Sequence, residues 1–435
     1  MSRPVTTTPW GDSTELRARR LRPGPGVPRE DVLANQRERM FGAMVASVAD
    51  HGYEATRVAD VLALSGVSRN TFYKHFDNKL DCFLATMDAI LLDGGGDVVA
   101  AYLNHEGRWD ERLGHALDLL VAGIVAQPAA ARLYYVESYA AGPKAIAKVE
   151  EMGDRLEQLA RQALDSSPAR VGLPRELLRA ILRGFRRVFQ ARLRSGREAE
   201  LPAVAPQLLE WAASYETPPQ PLLQARELAR ATFDEPAVKL DDPRDRILDA
   251  VIALMAEHGY KAMTINDIAQ RAAVSLTTFY DRFAGKDDAV IAALRRSVNQ
   301  VLEVVAPAFR AAPDWPRGIG DAIDAFFAYL VIEQPFAQFG GVDVHLGSRL
   351  VVDVREQLLT TAQAFFAEGF REHDEVPPIA GEAIAAAIDA LLFDQIANWG
   401  TDRLYETAPI AIYLVLVPFV GVDEACAIAT GRASR

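Results

Sequence analysis

The sequence predicts an all-α protein made of two similar halves. Apolar residues recur at helical spacing along most of the 435 residues, and the stretches between prolines lack strand-like alternation. A run of about fifty residues is repeated 207 positions further along the chain without a gap, with roughly a third of its positions identical. An ungapped internal match of this kind indicates duplication, and the chain is long enough for two to four domains.

Composition restricts the class of protein. Half of the residues are hydrophobic and 24% are charged, which is typical of a globular protein. The net charge of −12 leaves DNA binding open, because positive charge can be confined to one face. Cys82 and Cys426 show no CxxC spacing and are expected to be buried thiols in a reducing compartment. No secretory leader pattern opens the sequence, and the apolar run at 409–422 is too short to span a bilayer. We therefore expect a cytoplasmic protein.

Residues 1–35 are expected to form a flexible arm, because prolines and glycines interrupt them repeatedly. The arm contains a compact basic stretch from Arg17 to Arg22. This stretch either adds phosphate or minor-groove contacts to a DNA-binding domain or is part of a solvated, disordered leader.

The first copy of the repeat, residues 36–90, has the pattern of a helix-turn-helix domain. A helix is predicted from Gln36 to Asp50, and Gly52 is expected to end it with a left-handed cap. A second helix runs from Val58 to Leu64, and Ser68 can cap the third. A long fourth helix begins at Lys79, so the layout is three short helices and a long one.

The second copy, residues 243–296, keeps the same layout. Thr264 and Asp267 are spaced as a capping box at the start of its second helix, and Ser275 can cap its third. The following pairs are identical: His51/His258, Gly52/Gly259, Tyr53/Tyr260, Asp60/Asp267, Ser68/Ser275, Thr71/Thr278, Phe72/Phe279, Tyr73/Tyr280, Phe76/Phe283 and Lys79/Lys286.

The shared motifs are HGY-x-A and V-S-x-x-T-F-Y-x-[HR]-F followed by a lysine, and they resemble the TetR (tetracycline-repressor-like) family. The resemblance covers about 50 residues in each half, so the chain resembles two members fused head to tail. It implies that each unit is followed by a helical effector and dimerisation domain, here 91–215 and 297–435. Residues 216–242 are the expected linker, with a helix from Leu222 to Phe233. Other breaks between helices are expected at Gly94–Gly96, as a hinge, and near Pro409.

In the family, the third helix enters the major groove of double-stranded DNA, and its exposed residues contact bases and phosphates. Arg69 and Lys74 have the chemistry to contact guanine edges, whereas hydroxyl groups suit phosphates. For the first unit, the resemblance implies DNA contacts by Arg57, Arg69, Asn70, Thr71, Tyr73, Lys74, His75 and Lys79.

The second unit differs at this surface, because Leu276 replaces Arg69 and Asp281 replaces Lys74. An aspartate facing DNA is unfavourable unless it accepts a hydrogen bond from cytosine or pairs with Arg282. The second helix is therefore expected to bind a different or weaker half-site. The implied contact residues are Thr264, Leu276, Thr277, Thr278, Tyr280, Asp281, Arg282 and Lys286.

Two later helices are complementary in size and charge. The helix predicted from Pro174 to Ser195 is rich in arginine and large apolar residues, whereas that from Ile379 to Trp399 is rich in alanine and acidic residues. This favours pairing of the two halves within one chain as a pseudo-dimer. A homodimer, with both charge sets simply solvated, is the alternative.

The resemblance implies a DNA-binding transcriptional regulator, a repressor released by a small, largely apolar ligand, and the two different recognition helices predict an asymmetric operator. The effector pocket is expected among aromatic residues, which are more numerous in the second half. No metal-ligand spacing, nucleophile elbow or phosphate-binding loop occurs, so no cofactor and no enzymatic activity are expected. The alternative is a small-molecule-binding or scaffolding protein whose helix-turn-helix units no longer contact DNA.

Overall fold

The computed structural model describes residues 5–222, 242–341 and 349–431, and these ranges are almost entirely helical. The β-structure within them is a short antiparallel pair, β1 (Thr7–Thr8) and β2 (Gly11–Asp12). The all-α prediction is therefore confirmed. The helix predicted from Leu222 to Phe233 lies outside the described residues, apart from Leu222 itself.

The first half begins with the four helices of the predicted DNA-binding unit and continues with shorter and longer helices. The α-helices are α1 (Arg29–Ala55), α2 (Val58–Ser65), α3 (Arg69–His75), α4 (Lys79–Asn104), α5 (Trp109–Ala126), α6 (Pro128–Arg132), α7 (Ser138–Ala141), α8 (Pro143–Leu164), α9 (Arg175–Arg194) and α10 (Leu201–Ala213). A π-helical turn at Leu133–Glu137 joins α6 to α7, and a 3₁₀ turn at Glu198–Glu200 precedes α10.

The second half repeats the opening order of helices. Its α-helices are α11 (Pro243–Ala262), α12 (Ile265–Arg271), α13 (Leu276–Arg282), α14 (Lys286–Ala311), α15 (Trp315–Ile332), α16 (Gln334–Gly341), α17 (Arg349–Ala362), α18 (Ala367–Glu372), α19 (Ala380–Trp399) and α20 (Leu404–Thr430). A 3₁₀ turn at Gln363–Phe366 lies between α17 and α18.

The chain divides into two compact units, and the division falls inside the first half. One unit contains residues 1–163 and 186–209, and the other contains 164–185 and 210–435. Helices α9 and α10 therefore contribute residues to both units. Residues 164–185 and those from 210 onwards in the first half thus belong to the same compact unit as the second half. The boundary between the two units is therefore not at the predicted linker.

The short third helices form where the sequence places a capping serine. The Ser68 hydroxyl accepts the backbone N–H of Thr71 at 3.1 Å, and that of Ser275 accepts the N–H of Thr278 at 3.0 Å. Such caps satisfy donors that have no partner within the helix. The predicted capping box of α12 is also present, because the Asp267 N–H donates to Thr264 Oγ1 while Asp267 Oδ2 accepts the Thr264 N–H.

The predicted breaks after the first helix of each unit are glycines with positive φ. Gly52 has φ 74° and ψ 164°, and Gly259 has φ 72° and ψ 168°. These ψ values are extended and not those of a left-handed cap, so the geometry differs from the prediction. Helical turns resume after each glycine, as far as Ala55 and Ala262. Only glycine adopts such angles without steric cost.

Residues 5–27 differ from the flexible arm that the sequence predicts. After the β1–β2 pair, the Leu16 side chain is completely buried, and the Trp10 ring centroid lies 5.3 Å from that of Phe41. Helix α1 begins at Arg29, immediately after Pro28, and not at Gln36. The prediction failed because prolines and glycines exclude long helices but do not prevent a segment from packing its few apolar side chains.

Two predicted breaks are wrong. Gly94–Gly96 lies within α4, and Pro409 lies within α20. Local propensity is a weak guide because packing in the tertiary structure overrides it. Helix α20 is long and apolar enough to cross a membrane by length and composition, and 61% of its most apolar stretch is buried inside the protein.

The two faces of α3 provide a test of this packing. Phe72 is completely buried, whereas its neighbour Tyr73 is 47% exposed. Phe72→Ala should lower the free energy of unfolding of the first helix-turn-helix unit by about 3–5 kcal/mol because it leaves a cavity. Tyr73→Ala, the matched control, should change it by less than about 0.5 kcal/mol. Hydrogen exchange of the α1–α3 amides measures both effects, and equal losses would contradict this assignment of buried and exposed faces.

Candidate nucleic-acid interface

The exposed face of α3 carries four of the eight residues predicted to contact DNA in the first unit. Arg69, Asn70, Tyr73 and Lys74 are exposed, and the Arg69 guanidinium lies 5.9 Å from the centroid of the Tyr73 ring. In the described part of the chain, no ion pair joins Arg69 or Lys74 to a carboxylate. Both cations are therefore available to an external partner.

Two other predicted contacts are used inside the protein. His75 Nε2 lies 3.0 Å from Gln36 Oε1 on α1, and burial, with a smaller contribution from Arg37, lowers the pKa of His75. The Lys79 ammonium donates to the carbonyl oxygen of Tyr53 at 2.8 Å, and burial lowers its pKa. The sequence identified these groups as polar and cationic, but their packing partners follow only from the fold.

The remaining predicted residues of the first unit lie at helix starts. Arg57 is exposed immediately before α2, and its backbone N–H donates to Asp60 Oδ2 at 2.8 Å. The Thr71 hydroxyl is partly exposed and lies 2.9 Å from the Ser68 hydroxyl. Both residues leave polar atoms accessible at the start of a helix.

Helix α13 presents a different surface from the same scaffold. Leu276 and Tyr280 are 45% and 56% exposed. Thr277, Asp281 and Arg282 are also exposed, as is Thr264 at the start of α12, and Thr278 is partly exposed with its hydroxyl 2.9 Å from that of Ser275. The Lys286 ammonium, like that of Lys79, bonds to a carbonyl of its own unit, that of Tyr260 at 3.0 Å.

The Asp281 carboxylate lies within this surface without a compensating cation. No ion pair joins Asp281 to Arg282 in the residues that the structure describes. Of the two favourable arrangements for an aspartate facing DNA, acceptance from a cytosine amino group is the one compatible with these contacts.

Two pairs of arginines equivalent by the duplication were missed in the sequence. Arg37 and Arg244 are exposed on the first helices, over the rings of Phe41 at 5.6 Å and Phe283 at 5.7 Å. Arg37 and Arg244 lie 207 positions apart, which is the offset between the two copies of the repeat, and this spacing could have identified them in the sequence.

The other pair is structural. The buried Arg39 donates to the carbonyl oxygen of Ser65, at 2.5 Å, and Arg246 donates in the same way to Ala272 at 3.0 Å. Each arginine ties the first helix to the turn before the recognition helix.

A second candidate site is an apolar cavity of about 240 Å³ among the helices of the second half. Apart from Thr361 and Asp389, its lining side chains are aliphatic or phenylalanine. The sequence had pointed to aromatic residues in this half. Among the aromatic residues of this half, the lining contains Phe326, Phe327, Phe336, Phe365 and Phe366, but not Tyr329, Phe339, Phe370 or Phe393.

Helix α9 meets α19 within the unit that contains the second half. Arg183 bonds to the Asp394 carboxylate, and Arg179 Nη1 lies 3.9 Å from Asp394 Oδ2. At Gly184, a Cβ atom would lie 3.0 Å from the carbonyl oxygen of Ala383, so the two helices approach closely. Size and charge are thus complementary where these helices touch.

Hydrogen bonds extend the contact between first-half and second-half segments of this unit. The Tyr215 hydroxyl donates to the carbonyl oxygen of Leu414 at 2.7 Å, and the Tyr413 hydroxyl donates to that of Glu216 at 2.8 Å.

Comparison with known proteins matches both repeats to one family. Residues 43–86 and 247–293 match the model of bacterial regulatory proteins of the tetR family. The transcriptional activator FasR of Mycolicibacterium smegmatis is 31% identical over 90 residues, which are 21% of this chain and 41% of that protein. The repressor KstR of Mycobacterium tuberculosis is 30% identical over 86 residues, 20% of this chain and 38% of that protein. The chain thus spans less than half the length of these relatives.

Solved structures give a weaker overall match. The fatty acid degradation regulator FadR from Bacillus halodurans is 19% identical with a TM-score of 0.35, covering 40% of this chain and 94% of that one. A TetR family regulator from Marinobacter aquaeolei is 16% identical with a TM-score of 0.32 and the same coverage.

The family and these relatives are regulators, which agrees with the expectation that the chain is not an enzyme. The capping serines, buried phenylalanines and positive-φ glycines recur at equivalent positions in both matched segments. Two segments of this polypeptide therefore match the helix-turn-helix unit of the tetR family, one in each half of the chain.

Proposed function

We propose that this protein is a sequence-specific DNA-binding transcriptional regulator, a repressor released by a small, largely apolar ligand. The observation that carries the proposal is the exposed face of α3, where Arg69 and Lys74 project without a carboxylate partner. Guanidinium and ammonium groups on a short capped helix suit guanine edges and phosphates in the major groove. The named relatives include an activator as well as a repressor, and a reporter assay with and without the protein tests the proposed sign of regulation.

The two recognition helices support an asymmetric operator. Helix α3 offers Arg69 and Lys74, whereas α13 offers Leu276 and Asp281 at the same positions. Because these groups prefer different base edges, two identical half-sites would not suit both helices.

The contacts between α9 and α19 support an intrachain pseudo-dimer. A partly buried ion pair such as Arg183–Asp394 loses its value when either partner is absent, because the remaining charge stays buried. One polypeptide would then span two half-sites about one DNA turn (roughly 35 Å) apart.

The apolar cavity supports the second half as the effector-binding half. Its lining has little capacity to hydrogen-bond a ligand, so affinity would come mainly from burial of apolar surface. Ligand binding would release DNA if it favoured a state in which the two recognition helices no longer fit both half-sites.

The second candidate function is a small-molecule-binding or scaffolding helical protein whose helix-turn-helix units, the second especially, no longer contact DNA. The exposed Asp281 favours it for that unit, because an unpaired carboxylate is repelled by phosphate. Steep loss of DNA affinity with added salt supports the regulator, and absence of binding supports the scaffold.

Selection of duplexes from a random pool, with the stoichiometry of the complex measured by sedimentation, tests the regulator and the pseudo-dimer together. We expect an asymmetric site bound by one chain, since the two recognition helices differ. A palindrome bound by two chains would refute the pseudo-dimer while leaving the DNA-binding function intact.

Substitutions at equivalent positions test whether α3 and α13 contribute unequally to DNA affinity. Arg69→Ala should weaken binding to the selected duplex by about 1–3 kcal/mol and relax specificity at one base pair. Lys74→Ala should also weaken binding, whereas Asp281→Ala at the equivalent position should weaken it less, because repulsion by phosphate partly offsets a hydrogen bond accepted from cytosine. Fluorescence anisotropy measures all three. A loss for Asp281→Ala as large as that for Lys74→Ala would show that α13 contacts DNA as strongly as α3.

Filling the cavity tests the effector site. Ala385 lines it on α19, and Ala385→Phe should remove binding of the uncharged fluorescent probe N-phenyl-1-naphthylamine, at a stability cost of about 1–3 kcal/mol. Ala397→Phe is the control, because Ala397 is exposed on the same helix. Titration of both variants measures the effect, and unchanged probe affinity in Ala385→Phe would rule out this cavity as the binding site.

A further inference from the structure

The N-terminal segment, residues 5–22, is fixed to the first helix-turn-helix unit. The buried Leu16 lies directly against α1, since a Cβ atom at Gly42 would come within 2.8 Å of Leu16 Cδ2. The Thr8 hydroxyl donates to the carbonyl oxygen of Gly11 at 2.7 Å and closes the turn between the two short strands. The segment is therefore part of the domain and not a free arm.

Hydrogen bonds from α1 hold the basic end of the segment. The Asn35 side chain donates to the carbonyl oxygen of Arg19 at 3.1 Å and accepts the backbone N–H of Leu21 at 3.0 Å. The Arg19 guanidinium turns back to the carbonyl oxygen of Trp10. Arg19 is thus used within the fold, and its backbone position is set by α1.

Arg17 and Arg20 lie beside the turn that leads into the recognition helix. The Arg17 side chain approaches Gly66, where a Cβ atom would lie 2.6 Å from Arg17 Cγ. Gly66 ends α2 two residues before Ser68, the cap of α3. Arg20 lies near Arg39, which bonds to the carbonyl oxygen of Ser65 in the same turn.

The charges of Arg17, Arg20 and Arg22 are not paired with carboxylates in the part of the chain that the structure describes. Arg17, Arg20 and Arg22 are exposed, and none is joined to a carboxylate by an ion pair in the described ranges. Burial, and secondly the charge of Arg20, lowers the pKa of Arg39, so like charges are crowded here. A chain with a net charge of −12 nevertheless concentrates unpaired cations at this point, which creates a local field attractive to an anion.

We propose that residues 5–22 form a third DNA-contact element, which places Arg17, Arg20 and Arg22 on the phosphate backbone flanking the groove occupied by α3. This inference rests on the proposed DNA-binding function. Contacts of this kind position a protein on the duplex without selecting its sequence. They would strengthen binding by the first unit, to whatever site α3 selects.

The test uses the full-length chain with two duplexes, one of random sequence and one recovered by selection. Arg17→Ala/Arg20→Ala/Arg22→Ala should bind both duplexes more weakly by about 10- to 100-fold, because phosphate contacts are lost. Each lost contact also removes about 0.9 from the slope of log affinity against log salt concentration, so the slope should become shallower by about 2 to 3. Specificity, the ratio of the two affinities, should stay unchanged.

Two further variants control for charge and folding. Arg155→Ala/Arg310→Ala/Arg371→Ala removes the same charge from exposed positions outside the helix-turn-helix units and should leave the slope unchanged. Arg17→Lys/Arg20→Lys/Arg22→Lys keeps the cations and should keep the slope. If the alanine variant binds both duplexes with the wild-type affinity and slope, the N-terminal contact is refuted while the proposed function stands. If the wild-type chain binds no duplex at low salt, both are refuted.

Discussion

Each helix-turn-helix unit depends on a lysine ammonium that lies at the C-terminal end of the unit's first helix. Lys79 Nζ donates to the carbonyl oxygen of Tyr53 at 2.8 Å and lies 4.1 Å from the centroid of its ring. Lys286 repeats both contacts with Tyr260, at 3.0 and 4.0 Å. Carbonyl groups at a helix end lack intrahelical partners and carry partial negative charge, so a cation stabilises them. The lysine thereby joins the first helix to the fourth around the recognition helix.

The sequence predicted the local parts of this arrangement better than the long-range parts. Capping by Ser68 depends on residues within one turn, and it was predicted correctly. The packing of Leu16 and the contact of His75 with Gln36 depend on which surfaces meet in the folded chain. The residues in the cavity depend in the same way on packing between helices, and an aromatic pattern cannot distinguish its lining from the core.

The two copies differ at exposed positions, where a substitution has little effect on stability. Exposed positions such as 69 and 276 can change from arginine to leucine with little effect on stability, because neither side chain packs in the core. The phenylalanines beneath them, Phe72 and Phe279, are completely buried in both copies. Duplication can therefore preserve the scaffold while the DNA-facing surface diverges. The charges support this separation, since the shared Lys79 and Lys286 bond within the fold and the differing groups face outwards.

The membership of α9 in two compact units has a consequence for synthesis on the ribosome. Residues 164–185 belong to the unit whose other members begin at residue 210, and Asp394, the partner of Arg183, emerges about 200 residues later. At about 5–20 residues per second, that delay is roughly 10 to 40 s. During it, the apolar side chains of Leu177, Leu178 and Ile181, which are buried in the finished protein, lack the surface that completes their unit. Until then, the nascent first half exposes apolar surface that the finished protein buries, and such surface makes a folding intermediate prone to aggregation.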